Sequence, residues 1–487
     1  MTKSLTALLL LLLIVNACYG VHGDEADNLL GGVVLAQGGS LYVDYWSHHM
    51  PLPYVLAGAL GLVVQTFLAF RLAFALVLFG YWLALKRILQ STAFGSRVMP
   101  LAVLVVLASP MIHAQMLMAE TLVGYFAIAA LLVLVYRIIP GERSTGLALL
   151  VGLLALAMVF ASLMAVYLAG TILVMLVLLY RNQRRAGATA SLILMGGVAA
   201  LILVLPRGPM TAQVYHYNAD TYAPYFGNPD TGWKVSAGFF HYFEAIVRGS
   251  FEQPLAIVFV AVTWFLVAIS VYRRRYALAL LVVLVTVLSF YPLYGGFRGK
   301  VHLTDHYLIG LAIVAIAAHQ VHRLRVAQYI VVGLVIPGTI ASLIALGSVL
   351  TTASSPPFTN TKGEDFLAAF LQPDETVWIG PMDFHRALRF ADYRASRHSY
   401  LAPWTAADPT TTAQLLTDLQ TGQPIVLAIE TDWRGYRIAD YAPTLMNWIS
   451  DHYFQAPGYP GLWFAQDREQ LIVARLGQMV ATNPEGN

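Results

Sequence analysis

The chain has 487 residues, of which 58% are hydrophobic and only 11% charged, with a formal net charge of +3. A water-soluble chain of this length could not bury so much apolar surface, so the composition excludes that class and predicts a polytopic α-helical membrane protein. The lone cysteine, Cys18, excludes an intramolecular disulfide framework.

Apolar runs near 4–22, 66–86, 97–113, 120–137, 145–161, 163–180, 187–205, 254–272, 277–294, 305–320 and 327–350 predict about eleven transmembrane helices. The positive-inside rule tests that count. Lys86, Arg87 and Arg97, then Arg137 and Arg143, then Arg181, Arg184 and Arg185, then Arg273 to Arg275, then Arg323 and Arg325 all fall in alternate loops, on the side of Lys3. Of the 20 Lys and Arg before residue 352, 14 lie on that side, whereas 10 of the 11 acids before it lie on the other, Glu142 being the exception. The N-terminus is therefore expected in the cytoplasm. The loops 23–53, 206–253 and 295–304 and everything after about residue 352 are expected outside it. The membrane half carries a surplus of nine positive charges and the remainder, with 9 basic against 15 acidic residues, a deficit of six, so neither half suggests nucleic-acid binding.

The first run could be read as a cleaved signal, and the sequence VNAC ending at Cys18 hints at a lipoprotein site. Its removal would put every later basic cluster in the wrong class of loop, so a retained helix is expected.

In the first outer loop, Ala26, Leu29, Leu30, Val33 and Val34 recur at helical spacing, with Asp27, Asn28 and Gln37 on other faces and Gly38-Gly39 ending the pattern. This predicts a short amphipathic helix on the membrane surface. Asp24 and Glu25 fall at its N-terminus, where the helix favours their ionised forms and partial burial opposes ionisation. They are either helix caps or a base able to take a proton from a hydroxyl. Glu25, Asp44, His48 and His49 are all metal-ligand types, but no fixed spacing supports a metal site and no cofactor is required by the pattern.

Arg71 is the lone charge at the outer end of the second run, and Glu120 stands at the outer mouth of the fourth, in HAQMLMAETLVGYF. They either pair to pin two helices or serve a site. The loop GGFRGKVHLTDHYL, 295–308, places Arg298, Lys300, His302 and His306 together. It is either a solvated loop or a cradle for a phosphate arriving on a lipid.

Residues 352–487 read as a small α/β domain. Strands are predicted at 376–380, 424–430, 462–466 and 471–476, with helices near 383–391, 411–420 and 440–452. No GxGxxG or phosphate-binding loop accompanies them, so a non-catalytic role is expected: covering the membrane core, helping to recognise an acceptor, or simply stabilising.

The order Asp24-Glu25, a helix, Gly38-Gly39, Tyr42, Asp44 and His49-Met50-Pro51-Leu52, then Arg71 and an acid before Thr121-Leu122, resembles the GT-C superfamily of polyprenyl-phosphate-sugar-dependent glycosyltransferases. Bacterial relatives of protein O-mannosyltransferases and aminoarabinose transferases are the nearest in pattern, and RASRHSYLAPW, 394–404, resembles their tails. The resemblance covers residues 1–351 as the catalytic unit. It implies sugar transfer from a polyprenyl phosphate to an acceptor hydroxyl at the outer face of a bacterial plasma membrane, with inversion. It also implies that Asp24 is the base, with Glu25 beside it, and that Glu120 is a second acid near the acceptor. Arg298, Lys300, His302, His49 and Arg71 would contact the donor phosphate, and Asp44, His48 and His306 would be accessory. His49 and Met50 stand where many relatives have lysine and proline, which weakens the donor role of His49 because a neutral imidazole balances a phosphate less well. Membrane lipids are expected partners. A lipid-linked substrate transporter or a non-enzymatic subunit of envelope glycan assembly are the readings from other classes.

Overall fold

A computed structural model gives the fold for residues 2–18, 22–63, 66–180, 196, 208–222, 225, 254–289, 303–320, 362–433, 435–455 and 461–482. The expected spans at 187–205 and 327–350 lie outside them, as do Arg298, Lys300 and His302. Before residue 321 the described residues are dominated by helices: α1 (Thr2–Ala17), α2 (Gly23–Ala36), α3 (Leu52–Gly61), α4 (Phe67–Leu89), α5 (Val98–Ile112), α6 (Ala119–Val133), α7 (Thr145–Ala161), α8 (Val166–Tyr180), α9 (Pro254–Tyr272), α10 (Tyr276–Ser289) and α11 (Thr304–Gln320). Among the described residues, Phe67–Leu89, Gly95–Ile112, Ala119–Ile138 and Leu163–Tyr180 are long and apolar enough to cross a membrane.

The helices form one packed layer set, with α1 against α4 and α5, α6 against α7 and α11, and α9 against α10 and α11. Between them several polar side chains find partners inside the layer, which lowers the cost of their burial in an apolar surrounding. Asn16 Nδ2 donates to the Val106 carbonyl at 2.6 Å, and the Thr263 and Thr286 hydroxyls meet at 3.1 Å. Glu142, the acid on the basic side, is ion-paired with Arg137.

The structure corrects the reading of α2. Every residue from Glu25 to Val34 is buried, including Asp27 and Asn28, so this is no surface helix with a wet face. One side packs on α3 so closely that a Cβ on Gly32 would lie 2.4 Å from the Ala57 Cβ, which only glycine permits. The short helix Phe384–Arg389 also packs on α2, with Phe384 clustered on Ala26, while the residues expected to be wet, Asp27 and Asn28, are enclosed by Tyr45, Tyr54 and the Leu117 carbonyl. Gly38, at φ 88°, then turns the chain away from α2.

Residues 362–482 contain a four-stranded sheet in the order β1 (Val377–Gly380), β2 (Val426–Ile429), β6 (Leu462–Ala465), β5 (Tyr453–Gln455), with β1 and β2 parallel and the other pairs antiparallel. A separate ribbon pairs β3 (Asp432–Trp433) with β4 (Tyr436–Arg437). The main sheet is covered on both faces, so its strands read as unbroken apolar runs. Val377, Ile379, Val426, Ala428 and Phe464 enter one core, and Trp378, Leu427, Ile429 and Ala465 the other. The strand expected at 471–476 is instead part of a helix, Glu469–Thr482, because Ile472, Leu476 and Met479 recur at helical spacing and seat on the first core. The edge strand β5 was not anticipated.

Candidate functional site

The two adjacent acids of α2 part company. Glu25 is 1% exposed and ion-paired with Arg71, whose side chain is wholly buried, and its other oxygen accepts the Leu117 backbone N–H at 3.0 Å. The Arg71 guanidinium also lies 5.0 Å over the Phe67 ring. Arg71 was expected either to pair with Glu120 or to hold a phosphate, and Glu25 to act beside Asp24. The buried pair gives both residues a structural position instead, since each neutralises the other away from solvent.

Asp24, one residue earlier, keeps a side chain 39% exposed, with the His22 ring 3.6 Å away and the His22 Nδ1 accepting its backbone N–H. His22 in turn lies 6.4 Å, ring to ring, from His113, which ends α5 in a left-handed conformation at φ 59°. Glu120 is in the first turn of α6, half-buried, beside a narrow cleft it shares with Ser162 and Asp305. The helix Thr211–Tyr222 completes the corner. Burial raises the Tyr222 phenol above its usual range, and the charges of Asp24 and Glu120 raise it further, so both carboxylates lie within electrostatic range of this one tyrosine. Asp24 and Glu120 thus stand at one corner although 95 residues separate them.

The histidine pair lies beside the same tyrosine. The rings of His48 and His49 are 4.1 Å apart, and His48 is 5.2 Å from Tyr222. The Tyr400 hydroxyl lies 2.6 Å from His48 Nδ1. Burial, with the His49 charge adding to it, holds His48 neutral by lowering its pKa well below the usual value. A neutral ring fixed by a tyrosine is a poor counter-charge for a phosphate. Asp44, by contrast, closes the turn after α2: its carboxylate accepts the Ser40 N–H at 2.7 Å and its own N–H donates to the Ser40 carbonyl at 2.8 Å. It is exposed and serves the loop. His306 is 1% exposed within α11, 2.7 Å from the Ser289 hydroxyl, and so is enclosed by the helix layer rather than presented to the corner.

Asp27 was not singled out from the sequence. It is 2% exposed and accepts hydrogen bonds of 2.5 Å from both the Tyr45 and the Tyr54 hydroxyls. The Ser399 hydroxyl donates to Tyr45 at 2.9 Å, and Ser47 meets Tyr54 at 2.6 Å. Burial lifts the Asp27 pKa to about 6 despite these donors and the nearby His49. The only hint in the sequence is an acid one turn after Asp24 in an apolar helix. Its tyrosine and serine partners lie up to 372 residues away, beyond the reach of any local pattern.

The stretch 394–404 seats on this network. The Trp46 N–H donates to the Arg397 carbonyl at 3.0 Å, and Trp46, Tyr217, Phe384 and Tyr400 share one apolar cluster. Burial lowers His398 to about 3 and His385 to about 4, so this covering layer is uncharged at both histidines. Among the described residues no group of three or more His, Cys, Asp and Glu could hold a metal ion. No protein-family model, no curated protein and no solved structure matches the chain.

Proposed function

We propose that the protein is a membrane glycosyltransferase that moves a sugar from a polyprenyl phosphate to an acceptor hydroxyl at the outer face of the membrane. The observation that supports this reading is that Asp24 and Glu120 both act electrostatically on Tyr222, while the neighbouring Glu25 is neutralised by Arg71. On this reading the chain has eleven spans, a cytoplasmic N-terminus in a bacterial plasma membrane, and an outer C-terminal α/β domain that roofs the corner.

The chemistry needs one base and one well-stabilised leaving group. The acceptor O–H gives its proton to the Asp24 carboxylate, and its oxygen attacks the anomeric carbon as the carbon–phosphate oxygen bond breaks, with inversion. The departing polyprenyl phosphate is already a stable anion and needs only a cationic cradle, the role assigned to Arg298, Lys300 and His302. Glu120 orients the acceptor. Arg71 and Glu25 hold α2 against α4, so that Asp24 stays at the corner.

The test is transfer from a panel of polyprenyl-phosphate sugars by purified protein. Asp24→Asn should slow the chemical step about 100-fold or more with donor binding kept, and Glu120→Gln should harm both rate and acceptor affinity more moderately. Unchanged turnover per folded molecule in Asp24→Asn would end the proposal.

A further inference from the structure

Away from the corner, the C-terminal sheet carries an open hollow of about 420 Å³ beside its edge strand β5. Its lining comes from the helices Pro409–Gly422 and Pro443–His452 and from the residues after β6. The floor is aromatic. Trp448 is half-buried, stacked with His452 at 5.3 Å and 26°, and 5.4 Å from the buried Tyr453 ring. Around it stand Gln420, Asp451, Gln466 and Asp467, all exposed.

Two of these polar groups are fixed. His452 Nδ1 lies 2.9 Å from the Trp448 carbonyl and so donates to it, which leaves Nε2 to face the hollow's ligand. The Gln466 amide donates to the Tyr453 carbonyl at 3.3 Å, which leaves its oxygen as an acceptor. With two carboxylates added, the rim is rich in acceptors, and among the described residues its lining contains no lysine or arginine. An apolar ligand would leave these groups unpaired, and a phosphate or acidic sugar would meet like charge. What suits an aromatic floor with a rim of acceptors is a ring with one apolar face and many hydroxyl donors at its edge.

We propose that this hollow binds a pyranose glycan that is neutral or amino-substituted. The ring lies on Trp448 and its hydroxyls or ammonium donate to Asp451, Asp467, Gln466 and His452. The assignment stands apart from the transfer reaction, because no residue of the corner takes part.

Full-length protein in lipid nanodiscs, free of sugar-headed detergents, is titrated calorimetrically with a glucosamine trisaccharide, cellotriose and trigalacturonate. The first two should bind saturably and the third should not. Trp448→Ala should abolish binding. Because that change also removes packing, the exposed pair Gln420→Ala with Asp467→Asn provides a second variant, which should weaken binding about tenfold, the loss expected for one charge-assisted hydrogen bond. Asp24→Asn should bind like the wild type. Absence of saturable binding by all three sugars, binding of trigalacturonate as tight as that of cellotriose, an unaffected double variant, or loss of binding in Asp24→Asn would each overturn the assignment.

Discussion

The α2 loop and the C-terminal sheet both have buried interiors, yet they are held by opposite means. The sheet is sealed by apolar side chains alternating between two cores, so each strand carries its own instructions. The loop is sealed by polar groups, each satisfied by a distant partner: Glu25 by Arg71, Asn28 by the Leu117 carbonyl, Asp27 by Tyr45 and Tyr54, and Tyr45 in turn by Ser399. Apolar packing tolerates substitution by a neighbour of similar volume, whereas a buried polar group whose partner is lost pays the full cost of its desolvation. The loop is therefore the part of the molecule where single changes should be most sharply felt.

The largest effect should come from Arg71→Ala, which leaves the Glu25 charge buried without its counter-ion. A loss of about 3 to 5 kcal/mol in unfolding stability is expected, measured by denaturation in detergent micelles. Removing both charges, as Arg71→Met with Glu25→Leu, should recover most of it, with a remaining cost of about 1 kcal/mol for the Leu117 N–H that Glu25 accepted. If the single and double variants cost the same, the corner is held by packing as the sheet is, and the contrast fails.

The same contrast explains what could be read in advance. Strands β1, β2 and β6 and the helices between them follow local apolar period, and the sequence marks them well. The error at 471–476 arose because LIVARL is apolar enough for a strand over six residues, and only Met479, one turn further on, reveals the helix. In the loop, the helix α2 was legible from its spacing, but its surroundings were not. Nothing near Asp27 marks Tyr45 and Tyr54 as its partners, so an acid on the opposite face looked solvated. For the site, Asp24 and Glu120 were legible as acids at helix mouths, and both fall within electrostatic range of Tyr222. Glu25 and Arg71 looked equally functional because a buried ion pair and a catalytic pair share the same residue types. Pairing is a property of tertiary contact, and the spacing of 46 residues carries no signal of it.

A second test titrates the loop. Folded Asp27 has a pKa of about 6 against an ordinary value of 3.8, so the folded state binds this proton more tightly than the unfolded state does. Its contribution to stability is greatest below the ordinary value and is lost as pH rises through about 6, by on the order of 3 kcal/mol. The groups facing it are Tyr45, Tyr54, His49, Asp24 and Tyr400, and Arg394 lies over the Tyr45 ring. Other groups also titrate in this range, so the measurement is the stability difference between wild type and Asp27→Asn. That difference should move against the wild type from about pH 4 to pH 6 and then flatten. A difference that stays level across the range would mean that Asp27 is ionised in the fold at all these pH values and that its tyrosines fully offset its burial.

The smallest effect sharpens the comparison at the seam between the two regions. Tyr400 belongs to the covering stretch and His48 to the loop, and the hydroxyl of one meets Nδ1 of the other at 2.6 Å. Tyr400→Phe keeps the ring that packs on Phe384 and Trp46 and removes only this bond. A loss of about 1 kcal/mol is expected, the net value of a hydrogen bond with a partner left half-buried. The control is Ile429→Val in the sheet, which trims one methyl from a closed apolar core and should cost a similar amount of about 0.5 to 1.5 kcal/mol. The two differ in what restores them. Adding His48→Phe to Tyr400→Phe removes the orphaned nitrogen and should cost less than the two single changes together, a coupling read from a double-mutant cycle. No second change of polarity should rescue Ile429→Val, because the defect there is volume alone. Strict additivity at Tyr400 and His48 would mean that the covering stretch is held to the loop by its rings, and that the seam belongs with the sheet in kind.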